Sequence, residues 1–185
     1  MLSNAWRLAA IAAAASLSTA ALADGKNDYS QSVREYFRCA STPAVDFPGT
    51  IVDAALATPA LKSLADAVVA ANLAGTLSGP GPFTVYAPTN DAFKKIPPSV
   101  LSALTSDVKL LTAVLTYHVT PSVGRQADPR TAFGQPKEVN TVQGQTVFYN
   151  RGKGPQVNQS NVACQPVRTR NGTVWIIDSV LLPQF

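Results

Sequence analysis

The chain changes character once, at Thr120, and that change constrains the fold more than any other feature of the sequence. Before it, apolar residues recur at helical spacing, and prolines and threonines stand where helices begin. After it, β-branched residues and glycines dominate and good helix formers become scarce. Helices first and strands second is the pattern of an α+β domain.

In the helical half, Thr50 opens an Ala-rich helix (Ile51 to Ala57), and Thr58-Pro59 reads as an N-cap followed by proline at the first helical position. Leu61, Leu64, Ala65, Val68 and Val69 then form the apolar stripe of a helix laid on a core. Gly75 to Pro82, with its glycines and prolines, predicts a loop, and a short strand follows from Phe83 to Ala87. Pro88 ends that strand, Thr89 caps a short helix holding Ala92 and Phe93, and Pro97-Pro98 breaks it. Ser99 caps a further turn or two (Val100 to Leu104), and Asp107 opens a helix with Leu110, Leu111, Val114 and Leu115 on one side.

In the second half, strands are expected at Glu138 to Val142, Gln145 to Tyr149 and Asn161 to Thr169. Asn171-Gly172 is the strongest hairpin signal, because both residues tolerate the positive φ of a type I′ turn. The last strand, Thr173 to Leu181, is apolar enough to be central to a sheet; along it Trp175 and Ile177 alternate with Ile176, and the core is the expected place for both.

The first residues have the form of a secretory signal: Arg7, an apolar run from Leu8 to Leu17, and the small-residue triplet Ala21-Leu22-Ala23 before Asp24. A membrane anchor is the other reading, but the run is shorter than the roughly 18 to 20 apolar residues that span a bilayer. Cleavage after Ala23 leaves 162 of 185 residues, enough for one domain with one core and no membrane span. The reading is therefore signal peptide 1–23, N-terminal extension 24–49 with a short helix near Ser32 to Arg38, and a domain over 50–183. Export carries Cys39 and Cys164 to an oxidising compartment, where a disulfide is the default and two separate buried thiols the alternative. Such a bond would staple the extension down.

Two blocks carry a resemblance. The first is Gly81-Pro82-Phe83-Thr84-Val85-Tyr86-Ala87-Pro88-Thr89-Asn90-Asp91-Ala92-Phe93; the second runs from Asn171 through Trp175 and Asp178 to Pro183; Tyr117-His118-Val119 lies between them. In order and spacing they resemble the fasciclin family, over about Thr50 to Pro183. The resemblance implies a single compact α+β domain in which a β-wedge packs against several helices, on a secreted or surface-tethered protein whose role is adhesion or matrix binding; with the signal-like start, the expected place of this chain is secreted or periplasmic. The second block often carries a histidine where this chain has Trp175, so no second histidine is at hand.

Chemistry finds little to work with. His118 is the single histidine, no G-x-S-x-G elbow offers a nucleophile, and Asp91 and Asp178 are the acids that a histidine scheme would test first. Three roles stand for His118: a hydrogen-bonded core residue, a ligand-facing one with Tyr117, or a catalytic one, the first being the ordinary fate of a buried polar side chain. One histidine and two distant cysteines lack the spacing of a zinc site, and no D-x-D-x-D loop points to calcium, so neither metal nor cofactor is expected. Thr89, Asn90 and Asp91, with Phe93, read as a helix N-terminus or as a polar recognition surface.

Charge supplies the remaining signal. From Asp24 to Val119 seven basic side chains face eight acidic ones, a balance of −1; from Thr120 onward seven face three, a balance of +4. That is too modest for a nucleic-acid partner. It marks the β-rich half, and Arg168 and Arg170 in particular, as a surface for carboxylate or sulfate groups, since the guanidinium fork binds them bidentately; the alternative is a merely solvated face. The expected function is a monomeric, non-catalytic module contacting a cell-surface or matrix protein or an anionic polysaccharide, against a small secreted hydrolase or lyase on the same scaffold, or a structural envelope protein.

Overall fold

The computed structural model describes residues 27–132, 136–151 and 154–185. The signal segment expected over 1–23 lies outside the described residues, as does Lys153 of the basic half. A unit ending at Arg34 contributes the first part of helix α1 (Asn27–Ala40); a second unit, Glu35 to Phe185, holds both sheets and the other helices. α1 is longer than the short helix expected there.

The helical half forms α2 (Ile51–Ala57), α3 (Lys62–Ala70), α4 (Ala74–Ser78), α5 (Asn90–Lys94), α6 (Pro98–Ser106) and α7 (Val108–Tyr117). α2 starts in a reciprocal capping box: the Thr50 hydroxyl accepts from the Asp53 N–H, and the Asp53 carboxylate accepts from the Thr50 N–H. Those bonds, chiefly to the Thr50 backbone, hold the Asp53 carboxyl below its ordinary range. Thr89 caps α5 through the Ala92 N–H, and Asp107 caps α7 through the Lys109 and Leu110 N–H groups. Thr58 behaves differently from expectation: its hydroxyl donates back to the Ala54 carbonyl, and the following Pro59–Leu61 turn has no side-chain cap. Ser99 does not cap α6 either, because the helix begins one residue earlier with Pro98 at its first position. The stretch expected as loop after Gly75 contains α4, anchored by buried Leu77.

Strands β1 (Val45–Asp46), β2 (Phe83–Pro88), β3 (Val119–Thr120), β8 (Val167–Thr169) and β9 (Gly172–Ile177) form one sheet in the order β1-β8-β9-β2-β3, with β9 at its centre. Strands β4 (Lys137–Asn140), β5 (Thr146–Arg151), β6 (Pro155–Val157) and β7 (Ser160–Asn161) form a second, antiparallel sheet in sequence order. The strand expected from Asn161 to Thr169 is thus split between two sheets, with Pro166 just before β8. The first sheet lies between two cores. Val85, Ala87 and Val174 point to the helices, where they meet Ile51, Leu64, Val68 and Leu115. Tyr86, Trp175 and Ile177 point the other way and meet Val147, Tyr149 and Val157 of the second sheet. Val69 of the expected apolar stripe is exposed instead.

The centre of the sheet depends on glycine for a reason other than turn geometry. Neither Asn171 nor Gly172 has a positive φ, so the expected type I′ turn is absent. A Cβ on Gly172 would lie 1.9 Å from the Phe83 carbonyl oxygen, and one on Gly81 2.0 Å from that of Asn171. The two signature blocks meet here, β2 against β9, at a separation only glycine permits. Asn171 reinforces the junction: its Oδ1 accepts from the Ile51 N–H at 2.9 Å, and its Nδ2 donates to the Leu77 and Gly79 carbonyls.

Candidate functional site

One end of the first sheet is left uncovered on its Trp175 side, and the opening is a cleft of about 890 Å³. Its floor follows from strand register. Asp46 pairs with Arg168, Arg168 with Thr173, Thr173 with Thr84, and Thr84 with Thr120, so a single row of polar side chains crosses all five strands on one face. Adjacent strands lie about 4.8 Å apart, which sets the spacing of the row. It descends from exposed Arg168 through half-buried Thr173 to fully buried Thr84 and Thr120. The Thr84 hydroxyl is buried without a hydrogen-bond partner among the described residues.

The rim is basic. Arg170 stands at the β8–β9 turn with its N–H on the Gly49 carbonyl, and Arg168 lies 3.4 Å from Asp46, an exposed ion pair of little net strength. At the deep end Arg130 is mostly buried. Its Nε and Nη2 hold the Asp128 carboxylate at 3.0 and 2.8 Å, its Nη1 donates to the Thr42 carbonyl at 2.8 Å, and its guanidinium stacks 4.8 Å from the Trp175 ring centroid. Tyr36 donates its hydroxyl proton to the Arg130 carbonyl. Cys39 and Cys164 are joined by a disulfide, with their Cα atoms 4.8 Å apart, and the Thr42–Ala44 segment just beyond Cys39 forms one wall of the cleft. Three arginines against Asp128 leave the lining with a positive balance.

Tyr117 and His118 are not part of this site. His118 is buried, with Nδ1 donating to the Val114 carbonyl at 2.7 Å and Nε2 accepting from the Leu181 N–H at 2.9 Å. Both nitrogens are engaged by backbone, which fixes the neutral Nδ1–H tautomer, and burial lowers its pKa to about 4. The imidazole ties α7 to the segment after β9 and bonds to neither Asp91 nor Asp178. Tyr117 is buried as well, donating to the Thr146 carbonyl and accepting from the Asn158 amide, each at 3.1 Å. The hydrogen bonds of this pair serve the fold.

The signature polar residues also serve the fold. Asn90 accepts from the Ser63 N–H and donates to the Pro59 carbonyl, tying α5 to α3. Asp91 pairs with Lys94 at 2.7 Å, and that bond and charge hold its carboxyl below the ordinary range. Phe93 packs against the helical core. Desolvation alone would raise the Asp178 carboxyl, but bonds from the Asn161 side chain and N–H, with Lys95 and Ser179, outweigh it and lower the pKa. Among the described residues no three His, Cys, Asp or Glu side chains gather to hold a metal ion.

Arg168 and Arg170, singled out from the sequence, do share the cleft. Thr84 and Thr173 were missed there, because only the strand order β8-β9-β2 sets them in one row with Arg168, and Asp128 and Arg130 were missed because they reach the cleft from the Pro129–Thr131 turn.

The Fasciclin domain family matches residues 59–183. An uncharacterized protein of Synechocystis is 36% identical over 71% of this chain and 96% of its own length. The immunogenic protein MPB70 and the cell surface glycolipoprotein MPB83 of Mycobacterium bovis are 42% and 41% identical over 60% of this chain. The chain spans 55% and 48% of those two mycobacterial proteins. The β2–β9 junction, where both signature blocks meet, lies inside the matched region, and the chain belongs to the fasciclin-domain family.

Proposed function

We propose that this chain is an exported, surface-associated binding module that holds an anionic polysaccharide in the Arg168–Arg170 cleft and performs no chemistry on it. The observation that carries the reading is the cross-strand pair Arg168 and Thr173 on the cleft floor, with Arg170 beside it at the rim. The pair's step of about 4.8 Å is close to the advance of one sugar ring along an extended glycan. A guanidinium fork takes a carboxylate or sulfate bidentately, and threonine hydroxyls both donate and accept toward sugar hydroxyls. Among the described residues the Asp128 carboxylate is engaged by Arg130, and the Tyr86 and Tyr149 hydroxyls bond each other with pKa values pushed up, chiefly by burial. The signal-like start and the relative named as a cell surface glycolipoprotein support a place outside the cytoplasm.

Affinity chromatography tests this on the chain from Asp24, with polygalacturonate, dextran sulfate, neutral dextran and polyglutamate as matrices. Retention on the acidic glycans at low salt is expected, fading above about 0.15 M as screening shortens to roughly 8 Å. It should be lost in an Arg168→Glu, Arg170→Glu double variant. Retention on polyglutamate alone would replace the glycan with an acidic protein; equal retention of variant and parent would sink the proposal.

A further inference from the structure

The second sheet carries another cleft, of about 1200 Å³, which shares no lining residue with the first. On β5 the side chains alternate, so that Val147 and Tyr149 enter the core while Thr146, Phe148 and Asn150 face outward into this cleft. Its described lining contains no charged residue. It contains five carboxamides, from Gln145, Asn150, Asn158, Gln159 and Gln184, around the Phe148 ring, which is 42% exposed.

Three of those carboxamides, on Gln145, Asn150 and Asn158, are held in place. Gln145 donates to the Gln184 carbonyl at 2.6 Å and accepts from the Gln184 N–H at 2.9 Å. Asn158 accepts from the Phe148 N–H at 2.9 Å and donates to the Tyr117 hydroxyl, and Asn150 donates to the Asn158 carbonyl at 2.9 Å. Each primary amide has two N–H donors and two acceptor lone pairs, so these bonds fix its orientation while leaving capacity for a ligand. Tyr117 and the left-handed Asn158, at φ 53°, support this arrangement from within.

We propose that this cleft binds an uncharged oligosaccharide. Fixed carboxamides offer a donor and an acceptor side by side, as neighbouring sugar hydroxyls require, and the electron-rich face of Phe148 suits the C–H face of a sugar ring. A volume at or above the range for drug-sized ligands suits an oligomer. An acidic glycan would find no countercharge among the described lining residues and would meet exposed Glu138, the cross-strand partner of Phe148. An extended peptide could not add a strand to β5, which carries Phe148, because β5 is paired on both edges, by β4 and β6.

The test is an NMR titration of the ¹⁵N-labelled chain from Asp24 with cellohexaose, laminarihexaose and maltohexaose, and with hexagalacturonate as the charged comparison. At least one neutral hexasaccharide should move the Phe148 backbone signal and the side-chain amides of Asn150 and Gln159. Phe148→Ala should weaken it by about tenfold, Phe148→Tyr should restore it, and Arg168→Glu, Arg170→Glu should leave it unchanged. Half-exposed Phe148 can be cut back without unfolding the domain, which a thermal melt checks. Silence from all three neutral sugars, undiminished binding by Phe148→Ala, or equal occupancy by hexagalacturonate would each overturn the assignment. The double-arginine arm keeps its failure distinct from failure at the first cleft.

Discussion

At the residue scale, His118 shows how one side chain can carry pH dependence without taking part in binding. Its folded pKa of about 4 lies below the ordinary 6.5 because burial penalises the imidazolium. Protonation would also remove the acceptor that the Leu181 N–H requires. The unfolded chain therefore binds the extra proton first, so stability is complete above about pH 6.5 and falls as pH drops toward 4, by on the order of 3 kcal/mol. Urea midpoints between pH 4 and 7 should show this slope, and His118→Gln should flatten it. His118→Ala should cost about 1 to 3 kcal/mol at neutral pH through the unpaired Val114 and Leu181 groups. An unchanged melting temperature in that variant would contradict the structural role. The Asp178 carboxyl works in a lower window: its folded pKa is depressed, so its contribution is present above the ordinary carboxylate range and lost as pH falls through the folded value.

At the element scale, the β2–β9 pair and helix α4 respond oppositely to the same substitution. Gly172→Ala drives a methyl group into the Phe83 carbonyl oxygen, and its cost should exceed the roughly 1 to 3 kcal/mol of ordinary over-packing. Gly75→Ala, on exposed α4 with open space around its Cβ, should stabilise by about 0.5 to 1 kcal/mol. Thermal melts of the two variants decide both. This pair also marks the limit of what was legible in the sequence. The caps at Thr50, Thr89 and Asp107, the central position of β9 and the buried Trp175 follow from local spacing. Gly172 was legible as a constraint but not as the right one, because a glycine needed for close approach looks identical to one needed for positive φ. β6 was missed because its three residues begin at Pro155, within a Gly-, Pro- and Asn-rich stretch that reads as loop. Of the first cleft, Arg168 and Arg170 were readable from the charge of the β-rich half, whereas Thr84 joins them only through pairing between distant strands and Arg130 through a turn that the sequence does not place.

At the scale of the whole molecule, the disulfide closes a loop with a sequence separation of 125 and anchors the segment that walls the first cleft. The chain-entropy argument puts its contribution at roughly 5 kcal/mol at most. Mass spectrometry of alkylated, non-reduced protein should find no free thiol, and reduction should lower the denaturation midpoint while leaving the fold, since most of the core lies between the two cysteines. Two alkylated thiols in native material would contradict the pairing. The basic cleft is the central claim, and NMR mapping of a hexagalacturonate titration at low salt tests it most directly. Shifts are expected at Arg168, Arg170 and Thr173 and at the residues packed beneath them, abolished by added salt and by the Arg168→Glu, Arg170→Glu variant. Shifts clustered instead around Lys62, Lys94 and Lys95 on the helical side, or none at all, would contradict it.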